Sequence, residues 1–348
     1  MFDLLKRWYL QRLSDPAAIT LALLLLAAFL LLWGVGDILM PLLIALVLAY
    51  LCEGTVVWLA RHHLPRTFSA VLFCSLVIGA VLLVVLLLLP LLWQQGVGLA
   101  REAPTMLNQL QSQLMSLPEN YPELLQPEQI EQLFSLFRDH LLAWGQLVLS
   151  ASLGSLLSVM TILVYTILVP LLLFFLLKDK QQLLQGVDRL LPANRHLADR
   201  VMAEMNQQVM NYVRGKLLEI LLVGVASYLT FWLLGLNYAA LLAVAVGLSV
   251  LIPYIGATVV TIPVVLVALL QWGVTPPFWY VVSAYFVIQI LDGNVLVPIL
   301  FSEAVNLHPV VIIVAVLFFG GIWGFWGVFF AIPLATLVKA VINVWPTS

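Results

Sequence analysis

Long apolar runs separated by short polar stretches dominate the chain, and their lengths predict its elements. Residues 17–36, 38–60, 68–93, 150–177 and 217–234 are apolar runs of spanning length or close to it. A helix rises about 1.5 Å per residue and a hydrocarbon core is about 30 Å thick. Residues 279–291 form a further apolar segment of helical length. Two more apolar stretches, 239–272 and 309–344, are interrupted. The first breaks at Pro253-Tyr254-Ile255-Gly256, the second at Gly320-Gly321-Ile322-Trp323-Gly324-Phe325-Trp326-Gly327. Their legs hold roughly 11–17 residues, short of a full crossing or barely equal to one. A backbone break at bilayer depth is tolerated only where protein buries it or it lines a watery cavity. Two such breaks in matching positions mark a transport site. The pattern predicts an all-α polytopic membrane protein of about eight spans. Two of its elements are interrupted helical hairpins.

The hairpins resemble each other. A shift of 70 positions lays Val244-Ala245-Val246 on Val314-Ala315-Val316, Ile252 on Ile322, and Ile262-Pro263 on Ile332-Pro333. Chance identity is easy in a chain this rich in Val, Ala and Ile. The shared order of apolar leg, aromatic-glycine break, apolar leg and Ile-Pro favours a repeat. If residues 279–291 cross once, re-entrant hairpins enter from opposite faces, which is the inverted-repeat logic of secondary transporters.

Composition narrows the class. The 348 residues are 63% hydrophobic and 9% charged, against about 25% charged in a soluble domain. The net charge of −2 argues against a nucleic-acid partner. Cys52 and Cys74 lie in apolar runs and read as small core residues rather than a disulfide or metal pair. The first apolar run follows Lys6, Arg7 and Arg12 without a small-residue cleavage site, so no cleavable leader is expected.

Two polar stretches divide the chain. The expected segments are 1–93 with three spans, 94–149, a fourth span at 150–177, 178–216, and a transport core at 217–348. Arg61 and Arg66 lie between the second and third spans. Lys178, Lys180, Arg189, Arg195, Arg200, Arg214 and Lys216 crowd 178–216, whereas 94–149 holds Arg101 and Arg138 among more numerous acids. Basic loops stay inside. Both termini and 178–216 are therefore expected in the cytoplasm, with 94–149 outside. The outer stretch carries apolar residues at helical spacing (Met106, Leu107, Leu110, Leu114; Ile130, Leu133, Phe134, Phe137, Leu141), separated by Pro118, Pro122 and Pro127. It reads as an amphipathic cap over a vestibule or against neighbouring subunits, or as two helices on the bilayer surface.

Few groups can carry chemistry. An ionisable side chain inside the membrane is costly and a functional hypothesis by default. Asp292, beside Gly293-Asn294, is the first candidate: its carboxylate can bind Na⁺ or take up a proton, or simply cap the following helix. Glu53 ends the second run and reads as interfacial. Glu219 follows Lys216 by one turn and can neutralise it. Pro253, Tyr254, Gly256, Asn294, Gly320, Gly321, Gly324 and Gly327 offer polar groups or open backbone for a substrate or ion pathway. Glycines there can equally serve close helix packing. Arg214 belongs to the cluster Tyr212-Val213-Arg214-Gly215-Lys216, either an orientation signal or a contact to substrate or lipid headgroups. Trp323 and Trp326 read as packing or interfacial residues. The sequence carries no nucleotide-binding loop, no metal-spaced His/Cys set, His62-His63 and His308 included, and no nucleophile elbow. No catalytic residue, cofactor or metal is expected.

Pro-Leu-Leu-Leu-Phe-Phe-Leu-Leu-Lys-Asp (170–179), Tyr212-Val213-Arg214-Gly215, Pro253-Tyr254-Ile255-Gly256, Asp292-Gly293-Asn294-Val295-Leu296-Val297-Pro298 and Leu307-His308-Pro309 with Gly320-Gly321, Gly324, Gly327 and Pro333 occur in fixed order. In this series the chain resembles the autoinducer-2 exporter family of bacterial membrane proteins, and within it the PerM-type permeases. The resemblance covers nearly the whole chain and is strongest from Leu171 onward. It implies an inner-membrane transporter of about eight spans, and a homo-oligomer. Members are tied to autoinducer-2 export and others to sodium/proton exchange. Lys216 stands where many members have Gln, and Asp292 where Glu is common. The resulting expectation is a secondary transporter exporting a small polar solute, with Na⁺(Li⁺)/H⁺ antiport and a non-transporting membrane scaffold as alternatives. The expected partners are a small polar solute or a monovalent cation or proton, membrane lipid and further copies of the chain.

Overall fold

The computed structural model describes residues 16–61, 65–115, 156–192, 195–301 and 307–345. The basic N-terminal segment, His62-His63, the outer helix expected near 127–148, the first residues of the fourth run and Glu303 lie outside the described residues. The regular elements are helices: α1 Pro16–Arg61, α2 Arg66–Met115, α3 Leu156–Lys178, α4 Lys180–Leu190, α5 His196–Leu233, α6 Ala239–Ser249, α7 Ile255–Trp272 and α8 Pro276–Leu291. A π-helical turn, Asp292–Leu296, leads into α9 Val297–Phe301, followed by α10 Pro309–Phe329 and α11 Ala331–Val344. Six helical stretches among the described residues are long and apolar enough to cross a membrane; α6 and α11 are apolar but shorter.

Helices run through several positions where composition changes. The first two apolar runs form one helix bent at Val35 (φ −132°, ψ 17°), two residues before the expected turn at Asp37. α2 passes from the apolar run into the polar stretch and continues to Met115, with Pro90 and Pro104 inside it. α5 likewise starts in the basic stretch and continues through Lys216 into the apolar run. The physical reason is common to both. Gln, Glu, Leu, Met and Lys all favour helix, so a switch from polar to apolar changes the solvent a helix meets without changing its backbone.

The chain divides into two compact units, each described by itself: residues 1–80, 162–217 and 301–348, and residues 81–161 and 218–300. In the first, Ala17, Ala18 and Leu21 of α1 pack with Leu197, Val201 and Met205 of α5 and Ala340 of α11. A second cluster joins Ala45, Cys52 and Val56 of α1, Ala70 and Cys74 of α2, and Leu173 and Leu177 of α3. Both cysteines are free and buried there, as expected of small core residues. Lys180 Nζ lies 3.0 Å from Glu53 Oε1. Arg195 bridges Asp188 at 2.8 Å and Asp199 at 3.1 Å, fastening α4 to the start of α5.

In the second unit, Val246, Val264, Val267, Val281 and Tyr285 centre the core of α5–α8. Between apolar helices in lipid, close packing rather than water exclusion drives association, and small residues permit it. A Cβ on Gly247 would stand 3.1 Å from Gly224 Cα and 3.0 Å from Ile220 O, so α5 and α6 approach at backbone distance.

Candidate functional site

The first hairpin of the second unit is α6 and α7, and its break is tight. Tyr254 adopts φ 63°, ψ −48°, the rare and strained classic γ-turn, closed by the Ile255 N–H donating to Pro253 O at 2.7 Å. Tyr254 is exposed, whereas Gly256 is buried. A Cβ on Gly256 would stand 1.7 Å from Ser249 O, so the chain crosses itself in backbone contact. Gly256 is therefore no opening into a cavity: the expectation of free space at this glycine is overturned by the carbonyl that fills it. Pro253 is half-buried beside it.

The second hairpin, α10 and α11, belongs to the first unit. Of the expected break at 320–327, only Gly324 leaves helical geometry, at φ 58°, ψ −134°. Gly320 and Gly321 stay in the helical leg before it, and the chain turns back at Gly324. Helical bonding resumes in the second leg and runs through Phe330, whose N–H donates to Trp326 O at 2.9 Å. A Cβ on Gly327 would stand 1.9 Å from Phe319 O.

The two breaks share a construction at the 70-residue shift read from the sequence. Tyr254 corresponds to Gly324, and both have positive φ. Ser249 corresponds to Phe319, and each offers the carbonyl against which a later glycine packs. That glycine is Gly256 in the first break and Gly327, one position further, in the second. Side-chain identity alone leaves the repeat open; positive φ and close backbone approach recurring at matched positions favour it.

Asp292 does not cap a helix N-terminus. It has αR geometry (φ −59°, ψ −58°) and opens the π-helical turn continuing α8. Such turns widen the helix and are frequent at functional sites. Asn294 Nδ2 donates to Ile290 O at 2.9 Å, occupying a carbonyl beside the turn. One turn before Asp292, Gln289 Nε2 donates to Tyr285 OH at 3.0 Å, and Tyr285 OH lies 2.9 Å from Thr261 Oγ1. Tyr285 is fully buried, and Thr261 Oγ1 donates to Ala257 O at 2.7 Å just past the first break. This chain of polar groups joins α7 to α8. The sequence reading missed it because Thr261, Tyr285 and Gln289 are isolated in apolar runs. Their signal is a neutral polar residue facing the core of a spanning helix.

Glu219 is 2% exposed and Lys216 4%, so protein covers both. Lys216 Nζ lies 5.5 Å over the Phe301 ring. Burial of both follows from α5 continuing as one helix through them. Arg214 is half-buried. Tyr212, from the same motif, is buried and donates to Phe329 O at 2.9 Å, occupying a carbonyl at the end of α10.

Trp323 and Trp326 are packed as expected. Trp323 stacks on Phe319 (5.8 Å, 2°) and tilts against Phe29; Trp326 stacks on Phe330 (6.2 Å, 22°). Both also line a cavity of about 560 Å³ in the first unit, at the bends of α1 and α10. Among the described residues no group of His, Cys, Asp and Glu is disposed to hold a metal ion.

Residues 19–347 match the family described as AI-2E family transporter. "Putative permease PerM" of Escherichia coli (strain K12) is 53% identical over 346 residues, 99% of this chain and 98% of that protein. "Putative transport protein YueF" of Bacillus subtilis (strain 168) is 28% identical, covering 88% and 84%. "Putative transport protein YhhT" of Escherichia coli (strain K12) is 24% identical, covering 87% and 84%. These relatives are described as permeases or transport proteins, not enzymes. A match across nearly the whole chain, on an all-helical multi-pass membrane fold, places the protein among membrane transporters: the chain belongs to the AI-2E transporter family.

Proposed function

We propose that the chain is a secondary transporter that exports a small polar solute, autoinducer-2-like in size, across the bacterial inner membrane. Both termini and α4 lie in the cytoplasm on this reading, and the assembly is a homo-oligomer in contact with membrane lipid. The observation that carries it is the duplicated break: positive φ at Tyr254 and Gly324, with Gly256 and Gly327 packed on backbone carbonyls. Strained, interrupted helices persist where surrounding structure holds them for a function. On this reading each unit offers its own candidate contacts: Pro253, Tyr254, Asn294 and Glu219 in the second unit, and Gly320, Gly321, Gly324 and Arg214 in the first.

Asp292 supports a second reading, Na⁺(Li⁺)/H⁺ antiport. It combines a carboxylate with a π-helical turn one turn from the Thr261–Tyr285–Gln289 chain. Proteoliposomes separate the readings. Labelled small polar metabolites, Na⁺ and Li⁺ are followed under an imposed pH gradient. Solute flux without cation flux supports export, and cation-coupled proton flux supports antiport. Folded, reconstituted protein that moves none of them is a scaffold, and the transport reading ends.

A further inference from the structure

α4 carries an apolar stripe that no described residue covers. Leu183, Leu184 and Val187 fall on one side of the helix at i, i+1 and i+4, and they are 46%, 54% and 53% exposed. Gln181, Gln182, Gln185, Asp188 and Arg189 supply an exposed polar side. At Gly186, beside the stripe, an added Cβ would meet nothing within 4 Å. A stripe of this kind faces either a protein partner or a lipid surface.

The place of α4 within the first unit favours lipid. Only Asp179 separates it from α3, whose apolar stretch Val164–Lys178 ends there. The Lys178 ammonium lies 5.6 Å over the Phe174 ring, so its stem follows apolar surface while its charge sits at the helix end. Both ends of α4 are then tied to the spans. At its start, Lys180 reaches Glu53, which closes the apolar leg Ile38–Glu53 of α1. Near its end, Asp188 is held by Arg195, two residues before Leu197, which packs with Ala17 and Ala18 at the start of the other leg, Pro16–Gly36. Further along α5, Asn206 accepts from Tyr50, one turn before Glu53, so the start of one leg and the end of the other share an edge of the unit. Residues 180 and 188 are about 12 Å apart along a helix. Fastened at both points, α4 lies along that edge rather than standing away from it. Lys180 also sets its facing. Residues at i, i+3, i+4 and i+7 share a side, so Leu183, Leu184 and Val187 lie on the side of Lys180, which is turned to the span ends.

We infer that α4 is an interfacial helix docked on the lipid surface beside the spans, with Leu183, Leu184 and Val187 among the acyl chains and Gln182, Gln185 and Arg189 in water. This docking follows from the spanning fold alone, whatever the protein transports. With the orientation proposed above, the leaflet is the cytoplasmic one.

The test uses the full chain in phosphatidylcholine nanodiscs, which leave both faces open to solvent. Single cysteines replace Leu183, Leu184, Val187, Gln182 and Gln185 in turn, and each carries a bimane label. The parent chain, with Cys52 and Cys74 buried, sets the background. Two quenchers are compared: phosphatidylcholine brominated along its acyl chain, and aqueous iodide. Brominated lipid is expected to quench Leu183→Cys, Leu184→Cys and Val187→Cys several-fold more than Gln182→Cys and Gln185→Cys, and iodide to show the reverse order. Equal access of iodide to all five positions would place α4 in water and overturn the docking. Shielding of the three stripe positions from both quenchers would overturn it in favour of protein, a second copy or another segment of this chain. Should one labelled variant fail to fold, the remaining positions on each side still decide.

Discussion

Replacing Gly256 by alanine tests whether the first break is a fixed structural element. The alanine Cβ would stand 1.7 Å from Ser249 O and 2.6 Å from the carbonyl carbon. Non-bonded Cβ atoms essentially never come within 3.0 Å, so backbone must move by on the order of 1 Å. No side chain can yield instead, because the obstacle is main chain. Overpacking of this kind costs about 1–3 kcal/mol, and a backbone clash belongs at or above the upper end. Gly327→Ala meets Phe319 O at 1.9 Å and should behave alike. Gly321→Ala is the control: it lies inside α10 with nothing within 4 Å, so removing a helical glycine should be neutral or stabilising by up to about 1 kcal/mol. The assay is thermal unfolding of the three variants in one detergent, followed by flux in proteoliposomes. Gly256→Ala and Gly327→Ala should both melt well below Gly321→Ala and both lose flux. If Gly256→Ala melts with the control, the close crossing is not a feature of the folded protein. If only one of the two is affected, the repeat has no common construction.

Asp292→Asn should abolish pH-gradient-driven flux while sparing expression, with Asp292→Glu partly active; normal flux in Asp292→Asn would remove this carboxylate from coupling. Tyr212→Phe deletes the donor to Phe329 O and should lower stability by about 1–3 kcal/mol, read by thermal unfolding, with an unshifted melt refuting the contact's weight. The Tyr238 phenol, in the turn before α6, donates to Glu102 Oε2 at 2.5 Å. Burial first, and then Glu102, raise its pKa above the ordinary tyrosine value. Its raised folded-state value means that the stabilisation is complete below the ordinary tyrosine range and is lost as pH climbs through the folded value. Glu102→Gln should therefore move the titration of one tyrosine to lower pH in phenolate absorbance, and an unshifted titration would refute the contact. A cysteine at exposed Gln182 should react with an impermeant thiol reagent only from the cytoplasmic side, and labelling from outside would overturn the orientation.

The all-helical, membrane-embedded character was legible in the sequence because it depends on composition and run length alone. A chain with this much apolar surface must sit in lipid, and in lipid its backbone must bond to itself. The location of the first break was legible too, since Pro253 and Gly256 punctuate an otherwise uniform run. Helix ends were less so. The bend of α1 falls at Val35 rather than at its Pro41, and α2 and α5 pass through changes of polarity that a hydropathy reading takes for boundaries. Only the tertiary structure decided which glycines matter. Gly321 and Gly256 look equivalent along the chain, yet one faces open space and the other a carbonyl. That distinction depends on how the chain returns on itself, which no local pattern encodes. The Thr261–Tyr285–Gln289 chain and the aromatic cavity share this origin. Each joins residues from separate helices whose individual neighbours in sequence are all apolar. Periodicity fixes which segments become helices, whereas packing fixes which side chains meet.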